Sequence, residues 1–146
     1  MASHPDIHFR IGQVVICDFG PDPAALAPPG VMKGPLSVPP EMTKKRPAVV
    51  VGVERGMSIV VPLSTSQPRS ERKYHVRIPR ERYHFLSAKV DSWIKADLVI
   101  AVSNERLQRL YVEGTRTVLL ILDEDLKSIR AALLHALSLG SLTSYL

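Results

Sequence analysis

The sequence predicts a mainly β protein: a small, strongly curled β-barrel with one C-terminal α-helix. Three observations carry that expectation. Five to seven short β-branched or apolar runs are punctuated by turn residues. They never alternate with helical patterns, so no βαβ rhythm forms, and no phosphate-loop or dinucleotide-binding motif is present. A single sustained helical periodicity occupies 123–139.

The length of 146 residues suits one domain spanning 1–146, large enough for a real core. Residues 1–10 read as a loose lead. QVVICDF, 13–19, lies between Gly12 and Gly20-Pro21 and reads as a strand. Residues 20–43 carry seven prolines and three glycines, which no helix or central strand tolerates, so 20–45 is expected to be a long proline-rich loop. Loops of that length are either functional or plain insertions. PAVVVGV, 47–53, and SIVVPL, 58–63, joined by ERGM, form a hairpin. Neither alternates cleanly, which places both in a covered or closed sheet.

Beyond a polar loop at 64–73, YHVRI, 74–78, alternates as a strand, and RERYHF, 80–85, fits a helical turn or a further edge. One or two strands fall within 87–103, a helical turn within 103–110, and a last strand within 115–122. In DEDLKSIRAALLHALSL, 123–139, acids open the helix where its dipole favours them, and Asp123 is placed to cap. Leu126, Ile129, Leu133 and Leu137 share one face, and Gly140 is the expected stop. That stripe packs a core; its polar side is too weakly cationic for a membrane surface. His135 is then an ordinary helix residue.

The formal charge is +5, and its distribution is uneven. Residues 44–82 hold ten Lys/Arg against three acids, a local field that suits a polyanion or an acidic protein. Cys17 is the only cysteine, which excludes an internal disulfide and a cysteine zinc cluster. Inside VVICDF it reads as a buried, inert thiol. No apolar run approaches membrane-spanning length and MASHPDIHFR has no signal-peptide core, so the expected location is the cytoplasm, with no membrane contact.

Three groupings could do chemistry. Arg46 precedes Pro47, which biases it to extended backbone, so its guanidinium stands on a stiff base and can fork onto a phosphate. Lys44 and Lys45 add less specific field. The competing reading is that all three only keep an edge soluble. If the two hairpin strands pair antiparallel, Arg46 meets the Ser64, Thr65, Ser66 turn on one rim, where hydroxyls and a guanidinium make a phosphate pocket. Lys95 and Asp97 would point to one side of an extended strand, as a proton acceptor beside a charge clamp or as a surface ion pair of little worth. Trp93 shares their parity and packs, or stacks on a base. His75 and His84 are acid–base groups without partners at metal-ligand spacing; no metal and no cofactor is expected.

These residues resemble the MazF/PemK toxins of bacterial type II toxin–antitoxin pairs. The matching pieces, in family order, are IGQVVICDFGPD at 11–22, KKRPAVVV at 44–51, IVVPLSTS at 59–66 and WIKADLVIAVSNERL at 93–107. PPEMTKKRPAVVV is similar to a PemK-like branch with a long proline-bearing loop. The resemblance implies an SH3-like barrel that forms a homodimer and cuts single-stranded mRNA sequence-specifically and without metal. It also implies neutralisation by a cognate antitoxin. Residue by residue, it places the active arginine on Arg46, the Thr/Ser after V-P-x on Ser64, and the base of some members on Asp97. Lys95 stands where some members carry a catalytic arginine, a rotatable point charge in place of a rigid fork. The loop histidine of some members has no counterpart in 20–45. Expected RNA contacts are Lys44, Lys45, Thr65, Ser66, Arg69, Lys73 and His75. The rival readings are a non-catalytic RNA- or DNA-binding barrel, a toxin acting on a topoisomerase, and a decayed toxin.

Overall fold

The computed structural model describes residues 8–21, 42–110, 112 and 118–146. Its strands are β1 (Val14–Asp18), β2 (Lys45–Glu54), β3 (Met57–Ser64), β4 (His75–Ile78), β5 (Ser92–Lys95), β6 (Ile100–Ser103) and β7 (Leu107–Arg109). The helix α1 (Asp123–Ala136) follows, and a 3-10 segment spans Gly140–Tyr145. The strand order is β4-β5-β3-β2-β1-β7, with β6 also on β3, and every pairing is antiparallel. The expected hairpin is β2–β3, turned at Arg55-Gly56.

The sheet curls because of how its edges connect. β6 lies on β3, and β7 lies on β1 at the far edge. Only a 3-10 turn, Asn104–Arg106, separates them in the chain. A connection that short can join opposite edges only if the sheet rolls up to bring them together. A bulge at Val51, between the Val50↔Val60 and Gly52↔Ile59 pairs, adds local twist to β2.

Both faces of the rolled sheet are buried, which explains the unbroken apolar runs of β2 and β3. Val15, Cys17, Ala48, Val50 and Val60 point into one core with Phe9, Phe19 and Leu107. The alternating residues Val14, Val49, Val61 and Leu63 point the other way, against Ile94, Ile121 and Ile129 of α1. Each such side chain contributes about 1.5–3 kcal/mol when fully buried.

The helix starts and ends differently from expectation. Leu122 is the N-cap and makes no side-chain cap; Asp123 lies inside the first turn. A tertiary contact takes the cap's place: the Leu122 N–H donates to the Tyr83 hydroxyl (2.8 Å), which donates to buried Asp125. Arg82 Nη1 donates to the other Asp125 oxygen at 2.6 Å. At the far end Ser138, not Gly140, takes the left-handed turn, with φ 61°. Its N–H reaches the His135 carbonyl (3.1 Å) and the Leu139 N–H reaches Leu134 (2.7 Å), a Schellman closure. Gly140 serves instead for close approach, since a Cβ there would collide with the His135 ring. Leu126 and Leu133 join the core beside Ile129, whereas Leu137 is 61% exposed at the C-cap.

Other local expectations shift as well. RERYHF is neither helix nor strand but a turn-rich segment, and 103–110 combines a 3-10 turn with β7. Of 115–122, residues 118–122 form no named strand, only an isolated Gln13↔Leu120 bridge, and 115–117 lie outside the described residues. The expectations for 1–7 and for most of the proline-rich loop, 22–41, also lie outside them.

Two substitutions test this account. Ser138→Gly is expected to stabilise the fold by about 1 kcal/mol, by removing the left-handed penalty of a side chain. Thermal unfolding should show it as a Tm rise of about 2–4 °C. Tyr83→Phe leaves the Leu122 N–H and the Asp125 carboxylate short of a partner. It is expected to lower unfolding free energy in urea by about 1–3 kcal/mol.

Candidate active site

The register of the hairpin builds the site. Ala48 pairs with Pro62, so two residues further out Arg46 faces Ser64 across β2 and β3. On its other side Arg46 pairs with Cys17 of β1, and Ser64 pairs with Trp93 of β5. The rim therefore carries Arg46 flanked by a thiol and a hydroxyl, with Trp93 buried behind Ser64 as packing.

Arg46 is held from behind. Its Nε donates to the Thr43 carbonyl at 2.8 Å. Lys44, between them in sequence, has a left-handed backbone (φ 69°) and is bonded through its main chain to Phe19 and Gly20 at the end of β1. That non-glycine left-handed residue is a strained position next to the site. It folds the chain so that the Thr43 carbonyl takes the Arg46 Nε, and Arg46 also lines the cavity described next. Ser64 is 6% exposed, and its Oγ accepts the Ser66 N–H at 3.1 Å, so the hydroxyl proton is left to donate.

An open cavity of about 220 Å³ lies against this rim. Arg46, Ser64, Ser66 and Lys95 supply its polar wall, and Met42, Thr43 and Leu98 the remainder. Among the described residues no carboxylate lines it, and what they supply is a cationic, hydroxyl-bearing hollow that suits an oxyanion. Sequence reasoning missed Thr43, Met42 and Leu98. They become neighbours through the Lys44 turn and the turn after β5, and no motif marks them.

The expected Lys95–Asp97 alternation does not occur. β5 ends at Lys95, and Ala96–Leu98 form a 3-10 turn, so period two stops just there. Lys95 lines the cavity; Asp97 is exposed and outside its lining. His75 pairs with Lys95 in register, its Nδ1 accepts the Arg72 N–H at 3.0 Å, and its ring lies edge-on to Tyr74. It does not line the cavity, nor do Lys44, Arg69 and Lys73; Lys45 and Thr65 border a neighbouring hollow. His84 is exposed against Phe85. Among the described residues no cluster of three His, Cys, Asp or Glu could hold a metal, and no helix is long and apolar enough to cross a membrane.

Fold and site together define a class: a rolled SH3-like barrel with a cationic rim at one strand end. A family model for the PemK-like, MazF-like toxins of type II toxin–antitoxin systems matches residues 10–137, and the chain belongs to that family. It is 28% identical over 138 residues to a Haemophilus influenzae protein, covering 91% of this chain and 92% of that one. It is 35% identical over 114 residues to Escherichia coli K12 YifN, covering 68% and 72%. Among solved structures, its fold is similar to a mycobacterial endoribonuclease in complex with its cognate antitoxin. That match has TM-score 0.53, 18% identity and coverage of 88% of this chain and 93% of that one. It is similar also to Mycobacterium tuberculosis toxin MazF-mt6, with TM-score 0.51, 15% identity and coverage of 68% and 92%. At these identities the structural likeness shows the fold.

Cys17 supplies a test of the rim's packing. Burial pushes its thiol up from 9.0 to about 11, against the opposing pull of Arg106 and with a small push from Asp18. At pH 8 a shift of that size leaves about a hundredfold less thiolate. Alkylation of the native protein by iodoacetamide, followed by mass, should therefore be at least about a hundredfold slower than in denaturant. Equal rates would show the thiol to be open.

Proposed function

We propose that this chain is an endoribonuclease toxin that cuts single-stranded mRNA at a preferred sequence without a metal ion. We propose also that it works as a homodimer in the cytoplasm and is neutralised by a cognate antitoxin. The observation that carries the reading is Arg46 and Ser64 side by side in a cavity that also holds Lys95, in a chain of the toxin family. The structural likeness to mycobacterial endoribonucleases, one in complex with its cognate antitoxin, supports it.

The chemistry starts from RNA's own 2′-hydroxyl, which lies beside the phosphate and can attack it in line. The O2′–P bond forms and the P–O5′ bond breaks, giving a 2′,3′-cyclic phosphate and a free 5′-hydroxyl. Charge builds on the non-bridging oxygens, and Arg46 clamps them through the guanidinium nitrogens that Thr43 leaves unused. Ser64 donates its hydroxyl proton to one of them and fixes the phosphate's orientation. Lys95 neutralises the same charge and gives a proton to the departing O5′. Asp97, one residue from cavity-lining Leu98, takes the 2′-hydroxyl proton. Its side chain is exposed, open to a strand laid across the rim.

Arg46→Ala is expected to reduce cleavage of a mixed-sequence single-stranded RNA by at least about a thousandfold, in chelator, with the circular dichroism of the fold intact. Ser64→Ala should cost about ten- to a hundredfold, one hydrogen bond to a charged group. Products ending in cyclic phosphate support the reading. A wild-type protein that shifts RNA in a gel but leaves it whole overturns it, as does full activity in Arg46→Ala.

A further inference from the structure

Arg46 and Ser64 also border a second cavity, of about 290 Å³, and among the described residues they are the ones the two cavities share. Strand alternation produces it: Lys45 and Pro47 of β2 and Leu63 and Thr65 at the end of β3 turn away from the first cavity and into this one. Its outer wall is Phe85, Leu86 and Ser87, in the segment between β4 and β5, with buried Ser92 beneath.

That wall is fixed from both ends. The Phe85 ring lies 5.2 Å, centroid to centroid, from Tyr83, which Asp125 and Leu122 tie to the start of α1. At the other end Asp91 accepts Arg77 Nε (2.7 Å) and the Arg80 N–H (3.0 Å). The Ser87 Oγ takes long bonds from the N–H groups of Lys89 and Val90, at 3.3 and 3.4 Å, and keeps its proton to donate.

We propose that this cavity is a base-reading subsite that receives one unstacked nucleobase next to the phosphate held by Arg46 and Ser64. The inference rests on the ribonuclease reading for that phosphate, and it adds where a base is read and by which residues. A nucleobase has an apolar face and a polar edge. The cavity offers Phe85 and Leu86 to the face and the hydroxyls of Thr65, Ser87 and Ser92 to the edge. Lys45 and Arg46 add positive charge, which favours a polyanionic strand over an apolar peptide. Because the residues joining the two cavities are the phosphate grip itself, a single strand crossing the rim puts its next base over this hollow. Phe85–Ser87 then select the sequence that is cut, from a loop outside every motif of the family resemblance.

The test uses the full chain and a 2′-deoxy oligonucleotide, which lacks the attacking hydroxyl and stays whole, with 4-thiothymidine placed at successive positions. Ultraviolet crosslinks mapped by peptide mass are expected from one position to the Phe85–Leu86 peptide. Leu86→Trp, which fills the hollow, should cut their yield at least about tenfold. Thr65→Val, at an exposed position, is the second variant should Leu86→Trp fail to fold, with at least about a threefold loss expected. Adducts confined to other peptides, or undiminished yield in a folded variant, overturn the proposal. In parallel, RNA randomised on both sides of the cut is digested and its ends sequenced. The wild type should prefer one base at one flanking position, and the variants should flatten that preference alone by about tenfold. Cutting with the preference intact overturns the subsite. No cutting by the wild type overturns the ribonuclease reading, and the crosslink map still decides whether the hollow takes a base.

Discussion

The antiparallel register of β2 on β3 is the constraint on which the rim depends. Ala48 opposite Pro62 places Arg46 opposite Ser64, and sliding either strand by one residue would turn one of the two side chains to the other face of the sheet. Two apolar cores oppose such a slip, since Val49 and Val61 fill one and Ala48, Val50 and Val60 the other. The bulge at Val51 falls beyond these pairs, toward the hairpin turn, so it twists the sheet without moving the rim. Burial of both faces thus fixes the position of two side chains that themselves sit where the cores end.

The rim is assembled from segments far apart in sequence, and each is anchored by backbone. The Lys44 main chain ties the start of β2 to the end of β1, and the Thr43 carbonyl holds Arg46 from behind. Ser64 accepts the Ser66 N–H, and Lys95 enters as the last residue of a strand paired on both sides. In the proposed chemistry such anchoring matters more than any single contact, because little reorganisation remains for a charge-stabilising site to undergo.

The buried Asp125 network links helix and site. Tyr83 satisfies the helix start where no side-chain cap exists, and by the same contacts it fixes the segment that walls the second cavity. Stability and the proposed base reading share one cluster. A change at Tyr83 would disturb both the seating of α1 and the shape of that wall.

The hairpin, the terminal helix, the inert Cys17 and the meeting of Arg46 with the Ser64 turn were all legible in the sequence. Each follows from a local period or from pairing two adjacent strands, and both are short-range properties of the chain. The helix boundaries were less so: Asp123 looks like a cap, but a distant tyrosine took that role, and Ser138 reached the left-handed turn ahead of Gly140. Lys95 and Asp97 were parted by a 3-10 turn that no residue type announces. Phe85 and Leu86 became neighbours of the rim only through the tertiary contacts that fix the segment between β4 and β5, and Thr43 through the left-handed turn at Lys44. The sequence by itself determined the β2–β3 hairpin, the terminal helix and which cation faces which hydroxyl, because periodicity and turn chemistry act within a few residues. Tertiary structure alone decided which side chains from distant segments wall the two hollows, because those contacts join segments whose separation along the chain carries no local signal.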